Sequence, residues 1–174
     1  MKYLNRAVSV FGPLLLLASG AEAVVTGTIQ ARLVILPACE VNTGVASMPS
    51  NLGQLDFGSS GPTWTRPLNA NIQSSGGALQ VTCNASVSGF TVTIDGGVNG
   101  DGTTRRLSNG RQTIPYRLTV DAAGTDSYSI GQQRNFAVST GTQRPIPVYG
   151  AVVANTNALP AGTYRDTLTV TLDW

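Results

Sequence analysis

The chain has 174 residues, 41% hydrophobic, 6% aromatic and 11% charged, with 11 Lys and Arg against 9 Asp and Glu. Such a balance does not imply nucleic-acid binding through a basic surface, and recurring apolar alternation argues against low-complexity disorder. Histidine is absent and Lys2 is the sole lysine.

The first residues read as a processing signal. Lys2 and Arg6 form a basic start, an apolar stretch runs from Ala7 to Ala18 around Gly12-Pro13, and Ala21-Glu22-Ala23 is a cleavage site of the A-x-A kind. The stretch is too short to span a bilayer, and no second run is long enough. We therefore expect a signal peptide over 1–23, export, and a mature chain from Val24 to Trp174 that is soluble or polymeric and has no membrane span.

All nine basic residues after Ala23 are arginines. Losing lysine and histidine together removes the commonest general base, the commonest metal ligand, the Schiff-base amine and the Ser-His and Cys-His nucleophile pairs. Lys-Asn isopeptide cross-linking is excluded with them. The remaining acids are Glu40 and seven aspartates, of which Asp95, Asp101, Asp121 and Asp126 stand mostly in turn-like contexts. That is thin material for a carboxylate-pair hydrolase, so we expect no enzyme, no metal and no cofactor.

Apolar residues recur with period two along the mature chain. The pattern predicts strands over Val25–Ile35, Leu52–Phe57, Leu68–Ile72, Leu79–Cys83, Phe90–Ile94, Ile114–Val120, Asn135–Val138, Ile146–Val153 and Thr163–Trp174. Turn sequences separate them, among them Asp95-Gly-Gly, Asn99-Gly100, Asn109-Gly110 and Pro160-Ala-Gly162. Many short strands with regular punctuation indicate an all-β antiparallel sandwich. The cysteines, Cys39 and Cys83, sit in an exported chain and read as one intramolecular disulfide. Cys83 closes the inward set Leu79, Val81, Cys83, so the first strand of the globular part belongs beside it.

The two ends stand apart from this pattern. Val25, Gly27, Ile29, Ala31, Leu33 and Ile35 share one parity, with Thr26, Thr28, Gln30 and Arg32 on the other. At the far end Leu168, Val170, Leu172 and Trp174 alternate with polar residues, and no later strand follows. An ordinary first strand of a closed sandwich is one reading of the opening segment. Yet only Leu36-Pro37-Ala38 separates it from Cys39, too little chain to reverse it across the domain. Pairing with a second copy has no such restriction, and head-to-tail contacts of this kind build filaments unless they close. A free subunit would expose an apolar groove and an unpaired edge, so a periplasmic partner is expected to hold it.

Several segments, taken together and in order, resemble a known family. They are V-T-G-x-I-x-A-x-L at Val25–Leu33, Cys39-Glu-Val, Leu55-Asp-Phe-Gly58, Val81-Thr-Cys83, Phe90-Thr-Val-x-Ile-Asp-Gly-Gly97, Pro147-Val-Tyr-Gly150 and Gly162-x-Tyr-x-Asp-Thr-Leu-x-Val-Thr-Leu172. The chain resembles the spore coat protein U domain and, within it, the pilin subunits of archaic (Csu-type) chaperone-usher pili. The resemblance implies an incomplete immunoglobulin-like β-sandwich lacking its last strand, completed by donor-strand exchange. It implies donor residues Val25, Gly27, Ile29, Ala31 and Leu33 in a segment 24–34, ahead of a domain over 35–174. Tyr164, Leu168, Val170, Leu172 and Trp174 would line the acceptor groove and the chaperone-binding strand, a periplasmic chaperone anchoring the Trp174 carboxylate and an outer-membrane usher driving exchange. The implied function is a structural subunit that polymerises with other pilus subunits into a cell-surface fibre for attachment and biofilm formation.

Other signals read as local. Asp95 to Gly102 carries oxygen ligands at spacings loosely like a calcium loop, without a closing Glu, and reads as a hairpin loop. Asn84-Ala-Ser86 is a chance sequon, and Arg105-Arg106 with Arg111 reads as a solvated loop. Trp64 reads as a loop residue packed on the sandwich. The alternatives are a secreted, self-complete carbohydrate-binding sandwich with Trp64 stacking on sugar, and a spore coat structural protein.

Overall fold

The computed structural model describes residues 26–42, 52–73, 78–139 and 141–174. The expected leader, its cleavage site and Val25 lie outside the described residues. The chain divides into two units, Met1–Val34 and Ile35–Trp174.

The second unit is all-β. Its strands are β1 (Cys39–Asn42), β2 (Gln54–Leu55), β3 (Leu68–Gln73), β4 (Leu79–Cys83), β5 (Gly89–Ile94), β6 (Arg105–Ser108), β7 (Thr113–Thr119), β8 (Arg134–Ala137), β9 (Gln143–Ile146), β10 (Tyr149–Val152) and β11 (Val170–Asp173). They form three sheets, β1-β4-β9, β2-β3-β10-β7-β6 and β11-β5-β8, and every pairing is antiparallel. Among the described residues no helix is long and apolar enough to cross a membrane.

Alternation explains which residues go inside. In β4 Leu79, Val81 and Cys83 are buried while Gln80 and Thr82 are half-buried, and in β5 Phe90, Val92 and Ile94 do the same. Leu79, Val81, Val92, Ile94, Leu118, Ile146 and Val152 lose essentially all contact with water. Residues from all three sheets share one hydrophobic cluster, so the sheets enclose a single sandwich core. Gly150 in β10 is required by this packing, because a Cβ there would stand 2.8 Å from the Phe57 ring, which packs on Tyr116 at 6.1 Å between centroids.

Four expectations change. Residues 26–38 form no strand: alternation supplies a face, but a strand exists only as one side of a hydrogen-bonded pair. The run Ile146–Val153 is two strands, because Pro147 has no N–H to donate to a ladder. β9 pairs with β4, and past the proline β10 lies between β3 and β7. Arg105-Arg106 is no solvated loop but opens β6. The long C-terminal strand narrows to Val170–Asp173, with an isolated bridge from Arg165 to Ser108.

Cys39 and Cys83 are disulfide-bonded and are direct cross-strand partners in the β1–β4 pair. That places the first strand of the unit beside the one ending at Cys83, as the cysteines predict. The bridge spans 44 positions of sequence, and loop-closure entropy assigns such a crosslink about 3–4 kcal/mol. We expect the Cys39→Ala/Cys83→Ala chain to lose stability of about that size in urea denaturation; an unchanged midpoint would contradict a structural role for the bridge.

Candidate functional site

Among the described residues the C-terminal segment has a strand partner on one side. β11 pairs with β5 in the register Val170↔Ile94, Thr171↔Thr93, Leu172↔Val92 and Asp173↔Thr91. Before the strand proper the same side continues: the Thr169 carbonyl accepts the Asp95 N–H at 3.1 Å, and the Thr167 carbonyl accepts the Val98 N–H at 3.1 Å. Further back Arg165 exchanges both backbone bonds with Ser108 of β6, at 2.8 and 2.9 Å. On the C-terminal segment these hydrogen bonds fall on the odd-numbered residues 165, 167 and 169. In an extended strand the even-numbered residues direct their N–H and C=O groups to the opposite edge, and among the described residues β11 has no neighbour there.

The same even-numbered residues carry the apolar side chains. Leu168, Val170 and Leu172 pack against the core cluster but remain half-exposed, unlike their fully buried counterparts in β4 and β5. Tyr164 also packs on the cluster, and its hydroxyl donates to the Pro160 carbonyl at 3.0 Å. Trp174 is 55% exposed and is not among the residues packed on the core. An open backbone edge thus coincides with a half-covered apolar face along 168–172, which is the chemistry of a surface that accepts an added strand.

A second edge lies at β1, which among the described residues pairs with β4 alone. Its approach is fixed by Asn84, whose side-chain amide donates to the Leu36 carbonyl at 2.7 Å, while the Asn84 backbone N–H donates to the Ala38 carbonyl at 3.0 Å. The supposed sequon is therefore an anchor for the chain entering β1. In the first unit, Gly27, Ile29, Ala31 and Leu33 lie in the segment without regular structure. Ile29 is 98% exposed and Leu33 84%. Leaving two such side chains in water forgoes roughly 1.5–3 kcal/mol apiece.

Arg105, which the sequence placed in a solvated loop, braces the strand that carries β11. Arg105 is 4% exposed and donates to three main-chain carbonyls, Nε to Asp95 at 2.8 Å, Nη1 to Tyr128 at 2.7 Å and Nη2 to Ile94 at 3.0 Å. It thereby ties β6 to the end of β5, the strand that carries β11. Nothing in a run of two arginines announces this, since the carbonyls come from positions 94, 95 and 128. Burial, opposed by nearby Tyr116, Asp95 and Asp166, pulls the Arg105 guanidinium down. Burial pushes the Tyr128 phenol up to about 12, so its hydroxyl stays a donor, here to the Pro147 carbonyl at 2.9 Å.

The loop over 95–102 spends its carboxylates on itself and its neighbours. Asp101 accepts from the Thr103 and Thr104 N–H groups at 3.0 and 2.7 Å and pairs with Arg106 at 2.7 Å. Among the described residues no cluster of three or more His, Cys, Asp or Glu side chains stands ready for a metal. Trp64 packs against the core cluster, bridges to Asn155 and donates its indole N–H to the Val153 carbonyl at 2.7 Å, which is the packing role expected of it.

A family model for the Spore Coat Protein U domain matches residues 25–171. No curated protein matches the chain. Among solved structures it is similar to a chain of the CsuC–CsuE chaperone–tip adhesion subunit pre-assembly complex from archaic chaperone-usher Csu pili of Acinetobacter baumannii. That likeness has 19% identity and a TM-score of 0.53, and covers 80% of this chain and 40% of the other. A chain of a chaperone–tip adhesin complex of CFA/I fimbriae is similar at 16% identity and a TM-score of 0.44, over 78% of this chain and 42% of that one. The chain therefore spans about two fifths of the length of these two structures.

Asp95 gives the edge a pH signature. Burial pushes its carboxyl up, but hydrogen bonds from Thr169 and Gly97 and the Arg105 charge outweigh burial and hold it below its ordinary value of 3.8. A carboxylate held low in the fold stabilises it above the unfolded value, and the contribution drains as pH falls through the folded value. We expect the unfolding free energy contributed by this group to be constant at neutral pH and to decline below about pH 4. Asp95→Asn should flatten that decline in urea titrations at stepped pH; an identical slope in both proteins would contradict the assignment.

Proposed function

Since the chain belongs to the Spore Coat Protein U domain family, we propose that it is a structural subunit of an archaic chaperone-usher pilus, an incomplete sandwich finished by a strand from the next subunit. The observation that carries this reading is the coincidence along 168–172 of a free backbone edge with half-exposed Leu168, Val170 and Leu172. The complement is present in the same chain: the alternating segment 24–34, with donor residues Val25, Gly27, Ile29, Ala31 and Leu33. The fold likeness to a chain from a Csu pilus complex supports the reading.

The energetics favour such a joint. Burying Val25, Ile29 and Leu33 stabilises it by roughly 1.5–3 kcal/mol per side chain, and each backbone bond on the open edge adds roughly 0.5–1.5 kcal/mol. The segment belongs to the first unit and the edge to the second; with one subunit's donor filling the next subunit's groove, the product is a filament. Before assembly a periplasmic chaperone covers the groove, lined by Tyr164, Leu168, Val170, Leu172 and Trp174. An outer-membrane usher then exchanges the chaperone for a subunit, and the fibre serves attachment and biofilm formation at the cell surface.

Deleting 24–33 from the mature chain, or the single change Ile29→Asp, should abolish fibres seen by negative-stain microscopy while leaving the subunit in the periplasm. Wild-type fibres should give a ladder on an unheated denaturing gel that persists under reduction. Fibres formed by either variant would sink the donor assignment.

A further inference from the structure

The segment that leads into β11 reads Thr167-Leu-Thr-Val-Thr-Leu172. Its alternation forbids a slip of one residue, which would turn threonines into the core. A slip of two changes almost nothing, since Leu168, Val170 and Leu172 simply replace one another. Hydrophobic patterning therefore leaves the register of this edge open to even shifts, and something unique must fix it.

Asp166 is that feature. Its Oδ1 accepts the Asn99 backbone N–H at 3.0 Å and the Asn99 side-chain amide at 3.1 Å, and its Oδ2 accepts the Tyr116 hydroxyl at 2.7 Å. Burial, then the Asp166 hydrogen bond, push the Tyr116 phenol well above its ordinary range, so it remains a donor. The remaining wall of the cradle is Gly97, with φ at +80°, where a Cβ would lie 2.0 Å from Oδ2. No other residue allows both that backbone and that approach. From the opposite direction, Asp95 Oδ1 accepts the Thr169 N–H at 3.0 Å and the Gly97 N–H at 2.9 Å. Each segment thus places a carboxylate on the other's backbone, and the buried Arg105 holds the Asp95 and Ile94 carbonyls beneath.

We propose that Asp166 and Asp95, with Gly97, are positioning residues that set the register of the acceptor strand. They seat Thr167–Thr169 on the 95–99 turn, so that the backbone groups and side chains of Leu168, Val170 and Leu172 stand in one alignment before an incoming strand arrives. The inference rests on the donor-strand reading for its use, but the register is a property of one chain.

The test uses cysteine pairs on the outer face of the mature full-length chain, with crosslinks mapped by mass spectrometry after mild oxidation. Thr171 faces Thr93, so Thr93→Cys should form a disulfide with Thr171→Cys and not with Thr169→Cys or Asp173→Cys. Adding Asp166→Asn should make the Thr93→Cys/Thr169→Cys or Thr93→Cys/Asp173→Cys bridge appear, a shift of two residues. Gly97→Ala, which fills the cradle from the other side, should do the same, and Asp166→Asn carries the test alone if that chain fails to fold. Mere local loosening would lower the native bridge without raising the shifted ones. Crosslinking confined to the native pair, or lost without a shifted partner, would overturn the proposal. Because these bridges are intramolecular, they are read whether or not fibres form, which separates this outcome from failure of the donor assignment.

Discussion

A backbone N–H or C=O that leaves water must find a partner, and among the described residues β11 meets this demand along one edge. On its inner side the strand follows β5 and then the turn after it; on its outer side the groups of Leu168, Val170 and Leu172 face no strand among the described residues. The apolar side chains of the same residues cover the core incompletely. An edge of this kind is a hazard in a free protein and an asset in a polymer, because one added strand satisfies both the backbone and the core. The other features near it serve to keep that edge in place. Arg105 fastens β6 to the end of β5, and the carboxylates of Asp95 and Asp166 fasten the segment before β11 to the turn beneath it.

Much of this was legible in the sequence because burial in a sandwich writes period two into the chain. β3, β4, β5, β7 and β8 fall where the alternation places them, and the cysteines correctly join the first strand of the domain to the strand ending at Cys83. Leu168, Val170 and Leu172 stand on one face of the C-terminal segment, as their spacing requires. What alternation cannot show is the partner. The segment 26–38 has the face of a strand but no strand pairing, and a single run around Pro147 hides a change of sheet.

The polar framework was illegible for a related reason. Arg105 looks like a surface charge until the carbonyls of positions 94, 95 and 128 converge on it. Asp166 looks like an ordinary strand-edge residue until Gly97, far away in sequence, is seen to leave room for its carboxylate. A signal did exist: two glycines after Asp95, and an aspartate opening an otherwise repetitive Thr-Leu-Thr-Val-Thr-Leu tract. Each is half of a contact, and only the fold brings the halves together.

The proposed exchange is tested most directly by a side-chain-resolution structure of the assembled fibre. Residues 25–33 of one subunit should lie beside β11 of the next, hydrogen-bonded to the backbone of Leu168, Val170 and Leu172, with Ile29 and Leu33 buried. An edge left empty in the fibre, or filled by a strand of its own chain, would contradict it.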